Sequence, residues 1–166
     1  MTKLHNREYA VEVLNTFFED LGVFEEDRVV VDRDVKFPEF DEDTTEQEKA
    51  EMVLDYERQD AVREKVISAI RRKTLEFNEE TKEFSYKLES PIGSGENRIT
   101  SVTFKRRYKE IELERNMRGV KASDERGTTQ AYIATRCGLG KMDLGGIMDD
   151  DMGVIQNVFL LFFRRG

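Results

Sequence analysis

The chain has one cysteine, one histidine, two prolines and no tryptophan in 166 residues. A lone Cys137 excludes an intramolecular disulfide framework. His5, the only imidazole, leaves no Ser–His–Asp arrangement, and nothing around His5 and Cys137 brings them together as a pair. So little proline, with no low-complexity run, argues against wholesale disorder. The longest apolar run, Val158-Phe159-Leu160-Leu161-Phe162-Phe163, is far too short to cross a bilayer. The opening residues, Met1-Thr2-Lys3-Leu4-His5-Asn6-Arg7-Glu8, lead into an amphipathic pattern and not into the apolar core of a signal peptide. The expectation is a soluble, intracellular chain with no membrane partner.

What is present suffices for a modest core. Hydrophobic residues make up 38% and charged residues 37%, with eleven Phe and five Tyr, a polar but foldable balance for one ordinary domain or two very small ones. Charge is unevenly spread. Residues 1–80 hold 12 Lys/Arg against 23 Asp/Glu, a net of −11, whereas residues 81–166 hold 15 against 12, a net of +3. So acidic a first half opposes nucleic acid as the main ligand. The asymmetry suggests two parts: an acidic, mainly helical region over 1–80 and an α+β domain over 81–166.

The fold class expected is α+β. Asn6 can cap a first helix reaching Leu21 and stopped by Gly22, with Ala10, Val13, Leu14, Phe17, Phe18 and Leu21 on one stripe. Core burial is the default for that stripe; a partner groove is the alternative. Val29-Val30-Val31 through Phe37, ending at Pro38, reads as a strand. The acidic stretch from Glu39 to Thr45 reads as a loop. Thr45-Glu46-Gln47-Glu48 then has the form of a capping box, opening a long helix toward Lys73. Its polar middle, Glu57-Arg58-Gln59-Asp60, leaves room for a kink or break near Gln59. So exposed a helix is either a surface helix with one buried stripe or an arm for oligomerisation.

From Phe84 the period changes to two. Phe84, Tyr86 and Leu88 alternate with polar residues, and a second strand spans 98–105, so the pair reads as a β-hairpin with a long connection. Three short helices follow: about 108–118 with Gly119 as stop, about 127–137 with Gly138 as stop, and one opening at Asp149-Asp150-Asp151. The carboxylates of that cluster suit the amino end of a helix.

No constellation carries chemistry. Gly93-Ser94-Gly95 lacks the Lys-Ser/Thr of a phosphate-binding loop and joins two strands instead of opening a helix. Asp149, Asp150 and Asp151 lack the alternation, the central Gly and the closing Glu of a calcium loop. Arg106-Arg107 and Arg164-Arg165 read as solvated ends of elements, without the aromatics of a single-strand binder. Cys137 reads as a small buried thiol, with a reactive nucleophile as the alternative. No catalytic, cofactor-binding or metal-ligating residue is therefore assigned, and an enzyme is not expected. The last helix is apolar on more than one face. With Val154, Ile155, Val158 and Phe162 inward, Leu160, Leu161 and Phe163 remain as candidate partner contacts, or as residues covered by the first half of the same chain.

The run Leu88-Glu89-Ser90-Pro91-Ile92-Gly93-Ser94-Gly95-Glu96-Asn97-Arg98-Ile99-Thr100-Ser101-Val102-Thr103-Phe104-Lys105-Arg106-Arg107 resembles the opening of phage tail assembly chaperones of the Mu-like, contractile-tail type. Those proteins open with a strand ending in Pro-Ile, a Gly-containing turn and a second strand ending in paired basic residues. The similarity continues through Ala131-Tyr132-Ile133-Ala134, Cys137-Gly138-Leu139 and Met142-Asp143-Leu144. It ends at Asp151 and Val154-Ile155-Gln156-Asn157-Val158-Phe159-Leu160, so it covers about residues 84–163. The acidic region before it lies outside the likeness.

The resemblance implies a non-enzymatic role in virion assembly in the host cell cytoplasm. Such a chaperone binds the long helical tape measure protein, with the tail tube protein as a further partner, and leaves before the tail is finished. A homo-oligomer is compatible with that role. The competing expectation is a structural virion component, such as a tail completion or connector subunit.

Overall fold

A computed structural model describes residues 3–23 and 40–163. The strand expected over 29–37 and the pair Arg164-Arg165 lie outside the described residues. The architecture is α+β: six helices and a three-stranded antiparallel sheet among the described residues.

Helix α1 spans Arg7–Asp20, and the Asn6 side chain accepts from the Tyr9 backbone N–H, as a cap residue should. It buries Ala10, Val11, Leu14, Phe17 and Phe18, and Gly22 follows in the left-handed region at φ 75°. Helix α2 spans Glu46–Arg71, with both halves of the Thr45/Glu48 capping box formed. It runs unbroken through Gln59. Its fully buried residues are Val66, Ile67, Ala69 and Ile70, all in its last turns, so among the described residues the helix enters the core by its carboxyl end. Arg7 grips Glu64 through two nitrogens, at 2.9 and 2.7 Å, and fixes α1 against that docked end.

The sheet follows. Strand β1 is Leu75–Asn78, β2 is Glu83–Ile92 and β3 is Ile99–Phe104, in the spatial order β1-β2-β3. The two expected strands are present with a third beside them. The first runs on through Ser90 and Pro91 to Ile92, which shortens the connection to one helical turn over Gly95–Asn97. Leu75 pairs with Tyr86, Tyr86 with Val102, and Phe84 with both Phe77 and Phe104. These side chains line one face, and all but the half-buried Phe77 are fully enclosed. Ser85 and Thr103 share a hydrogen bond across the other face. The ladder between β2 and β3 shifts register between Lys87 and Ile92.

Helix α3 spans Glu110–Met117, α4 Glu125–Arg136, α5 Lys141–Gly145 and α6 Asp149–Phe162. The short α5 has no counterpart in the periodic pattern. Buried Asn116 on α3 donates to the Thr135 hydroxyl and the Leu139 carbonyl, which ties α3 to α4. Ile155, Val158, Phe159 and Phe162 of α6 enter the core, whereas Val154 is only half-buried. Phe17 meets Phe84 and Phe162 edge-on at 4.8 and 4.6 Å. Residues of both the acidic and the later part thus share one apolar cluster.

Candidate partner-binding surfaces

The three carboxylates opening α6 have divided roles. Asp149 and Asp150 are exposed, and Asp151 is 1% exposed. One oxygen of Asp151 accepts from the Tyr86 hydroxyl (2.8 Å) and the Glu89 N–H (2.9 Å), and the other accepts from the Ser90 N–H (3.0 Å). Glu89 and Ser90 lie where the β2 ladder shifts register, so the bulge frees the amides that this carboxylate needs. Desolvation, then the bond to Asp151, push the Tyr86 hydroxyl well above its usual pKa and keep it a donor. The helix opens at the cluster, as its carboxylates suggested, with all three in the first turn. No side chain caps α6, whose preceding residue is Met148. Asp151 is a clamp between α6 and the sheet. Among the described residues no group of three His, Cys, Asp or Glu could hold a metal ion.

Cys137 is buried, as its apolar neighbourhood suggested, and burial pushes its thiol up to about 12. Gly138 after it sits at φ 67°, and a Cβ there would stand 2.9 Å from the Lys105 side chain. Beside it, Arg136 Nη1 donates to the Lys105 and Arg106 carbonyls, both at 2.8 Å, while the Lys105 N–H donates back to the Arg136 carbonyl. The guanidinium lies 4.8 Å from the Tyr108 ring centre and 4.3 Å from that of Phe163. Burial lowers its pKa, and Nε finds no acceptor among the described residues.

The candidate contacts on α6 are therefore unequal. Leu160 is 38% exposed. Leu161 is half-buried against the core, and Phe163 is half-buried beneath Arg136 and beside Phe17 at 6.2 Å. Other exposed apolar side chains stand nearby in the chain: Tyr132 on α4, Met142 on α5 and Met148 before α6. The two methionines are 93% and 60% exposed. A recess of about 210 Å³ opens between α4, α5 and the start of α6, lined in part by Leu144, Ile147 and Met152. The sequence placed Met142 only within the likeness and assigned neither Met142 nor Met148 as a contact. Their signal was methionine in a glycine-rich segment too short to bury every side chain.

A larger groove, about 720 Å³, lies between the end of β3 and α3. Four cations, Lys105, Arg107, Lys109 and Arg115, line it with only two carboxylates, Glu83 and Glu112. Both carboxylates are engaged. Glu112 accepts from the Lys109 N–H (2.8 Å) and from Lys105 Nζ (3.0 Å), which together lower its pKa, and Glu83 accepts from the Arg106 N–H. Arg107 belongs to this groove, whereas Arg106 turns away to donate to the Asp20 carbonyl.

No protein-family model, curated protein or solved structure matches the chain.

Proposed function

We propose that the chain is a non-enzymatic phage tail assembly chaperone that binds the tape measure protein, with the tail tube protein as a further partner, in the host cytoplasm. The likeness over residues 84–163 supports this reading. The observation that carries it furthest is where apolar side chains of that segment sit. Tyr132, Met142, Met148 and Leu160 stay outside the core and come from three successive helices and the turn before the last.

Exposed apolar side chains of this kind suit a helical client. A long helix with apolar residues on several faces aggregates unless it is covered, and flexible methionines adapt to an irregular apolar stripe. Each client side chain buried against them contributes roughly 1.5–3 kcal/mol, enough for a few contacts to hold a helix reversibly. Reversibility is required, because the growing tail tube must replace the chaperone.

Mass spectrometry of purified virions tests the reading. A chaperone is absent from finished particles, whereas a tail completion or connector subunit is present in stoichiometric amount.

A further inference from the structure

We propose that the acidic segment Phe40-Asp41-Glu42-Asp43 of one copy docks into the basic groove beside α3 of a second copy, so that the chain self-associates through an exchanged arm.

The groove is the first half of the case. On a chain of net charge −8, it gathers four cations against two carboxylates. Lys105 is paired with Glu112 at 3.0 Å, while Arg107, Lys109 and Arg115 form no ion pair with a described residue. Tyr108 and the exposed Ile111 add apolar surface to the same groove. It therefore fits a short anionic segment that also carries an aromatic ring.

The arm is the second half. None of residues 46–65 is buried, so α2 holds its amino end roughly 30 Å along its axis from the docked turns. At that end stand Asp41, Glu42 and Asp43, all exposed and without a side-chain hydrogen bond or ion pair to a described residue. Phe40, 38% exposed, precedes them. Three carboxylates beside one ring match three cations that form no ion pair with a described residue, beside Tyr108 and Ile111. Residues 40–43 do not line the groove of their own chain, so that among the described residues no carboxylate besides Glu83 and Glu112 lines it.

Sedimentation of the full chain is the first arm of the test. Concentration-dependent association is expected at low salt. It should weaken as salt rises, because exposed charge pairs are screened over about 8 Å at physiological ionic strength. The second arm uses a fluorescein-labelled peptide of residues 40–48 as probe. It should bind the full chain, and Arg107→Glu with Arg115→Glu should weaken binding at least about tenfold. A peptide carrying Asp41→Lys and Asp43→Lys should regain binding to that double variant and lose it to the unaltered chain. If the double variant fails to fold by circular dichroism, Arg107→Gln with Arg115→Gln replaces it, with weakening in the same direction. A chain that stays monomeric at every concentration overturns the proposal. So does a peptide that binds variant and unaltered chain equally, or a groove that takes a single-stranded oligonucleotide and not the peptide.

Discussion

The Tyr86 hydroxyl donates to Asp151 across 2.8 Å in a fully buried contact that joins residues 65 positions apart. The same carboxylate receives the two amides freed by the irregularity in β2, so one side chain holds the start of α6 to the sheet. An acidic run on a solvated helix tip would have no such consequence.

Removing that carboxylate should cost far more than removing either neighbour. Asp151→Ala leaves a buried hydroxyl and two amides without their acceptor, for a loss of roughly 3 kcal/mol. That corresponds to a fall in Tm of about 6–12 °C. Asp149→Ala and Asp150→Ala should stay within about 0.5 kcal/mol, as exposed positions usually do. Thermal melts of the three variants check this, and Tyr86→Phe combined with Asp151→Ala measures the coupling of the pair.

Alkaline pH should loosen the fold. A hydroxyl whose pKa is raised by folding adds stability that is complete below its unfolded value and lost as pH rises toward the folded one. Stability should therefore decline above pH of about 10. Cys137, raised to about 12, adds a decline of the same sign that begins from about 8.5. Melting temperature followed from pH 8 upward should fall less steeply in Tyr86→Phe.

Cys137 itself should be inert in the folded chain. Held protonated and enclosed, it should react with a thiol reagent at pH 8 only after denaturant is added. Cys137→Ser should cost about 1–2 kcal/mol, because a hydroxyl replaces a thiol in an apolar site. Loss of function in a folded variant would show that the thiol does more than pack.

Arg136 should resist conservative exchange. Lys lacks the flat guanidinium that lies between two rings while its Nη1 reaches the Lys105 and Arg106 carbonyls. Arg136→Lys should lower stability by about 1–2 kcal/mol in denaturant titration, through weaker hold on the exit of β3.

Elements with their own local signals were legible in the sequence. Asn6 before a helical stripe, Thr45 with Glu48, and the alternation from Phe84 to Leu88 each declare themselves within a few residues. Leu75–Asn78 and Lys141–Gly145 did not, being too short to show a period. A turn signal was nevertheless present. Asn78 accepts from the Glu80 and Thr81 amides, and Lys82 takes φ 59° to enter β2. The standing of Asp151 was not legible, because three consecutive aspartates look alike until a bulge in β2 selects one. Cover of Phe163 by the first half of the chain was one of the two alternatives, and Phe17 supplies part of it; the share taken by Arg136 was hidden, since it arises only through tertiary packing.

Co-purification with the tape measure protein tests the central claim most directly. The tagged chain, co-expressed with that protein, should keep it soluble and elute with it. Changing Met142, Met148 and Leu160 together to Ser should abolish co-elution while leaving Tm within about 2 °C, since all three side chains are exposed. Leu161→Ser with Phe163→Ser should instead lower Tm strongly, because both side chains pack on the core. A tape measure protein that stays soluble without the chain and never elutes with it would contradict the account.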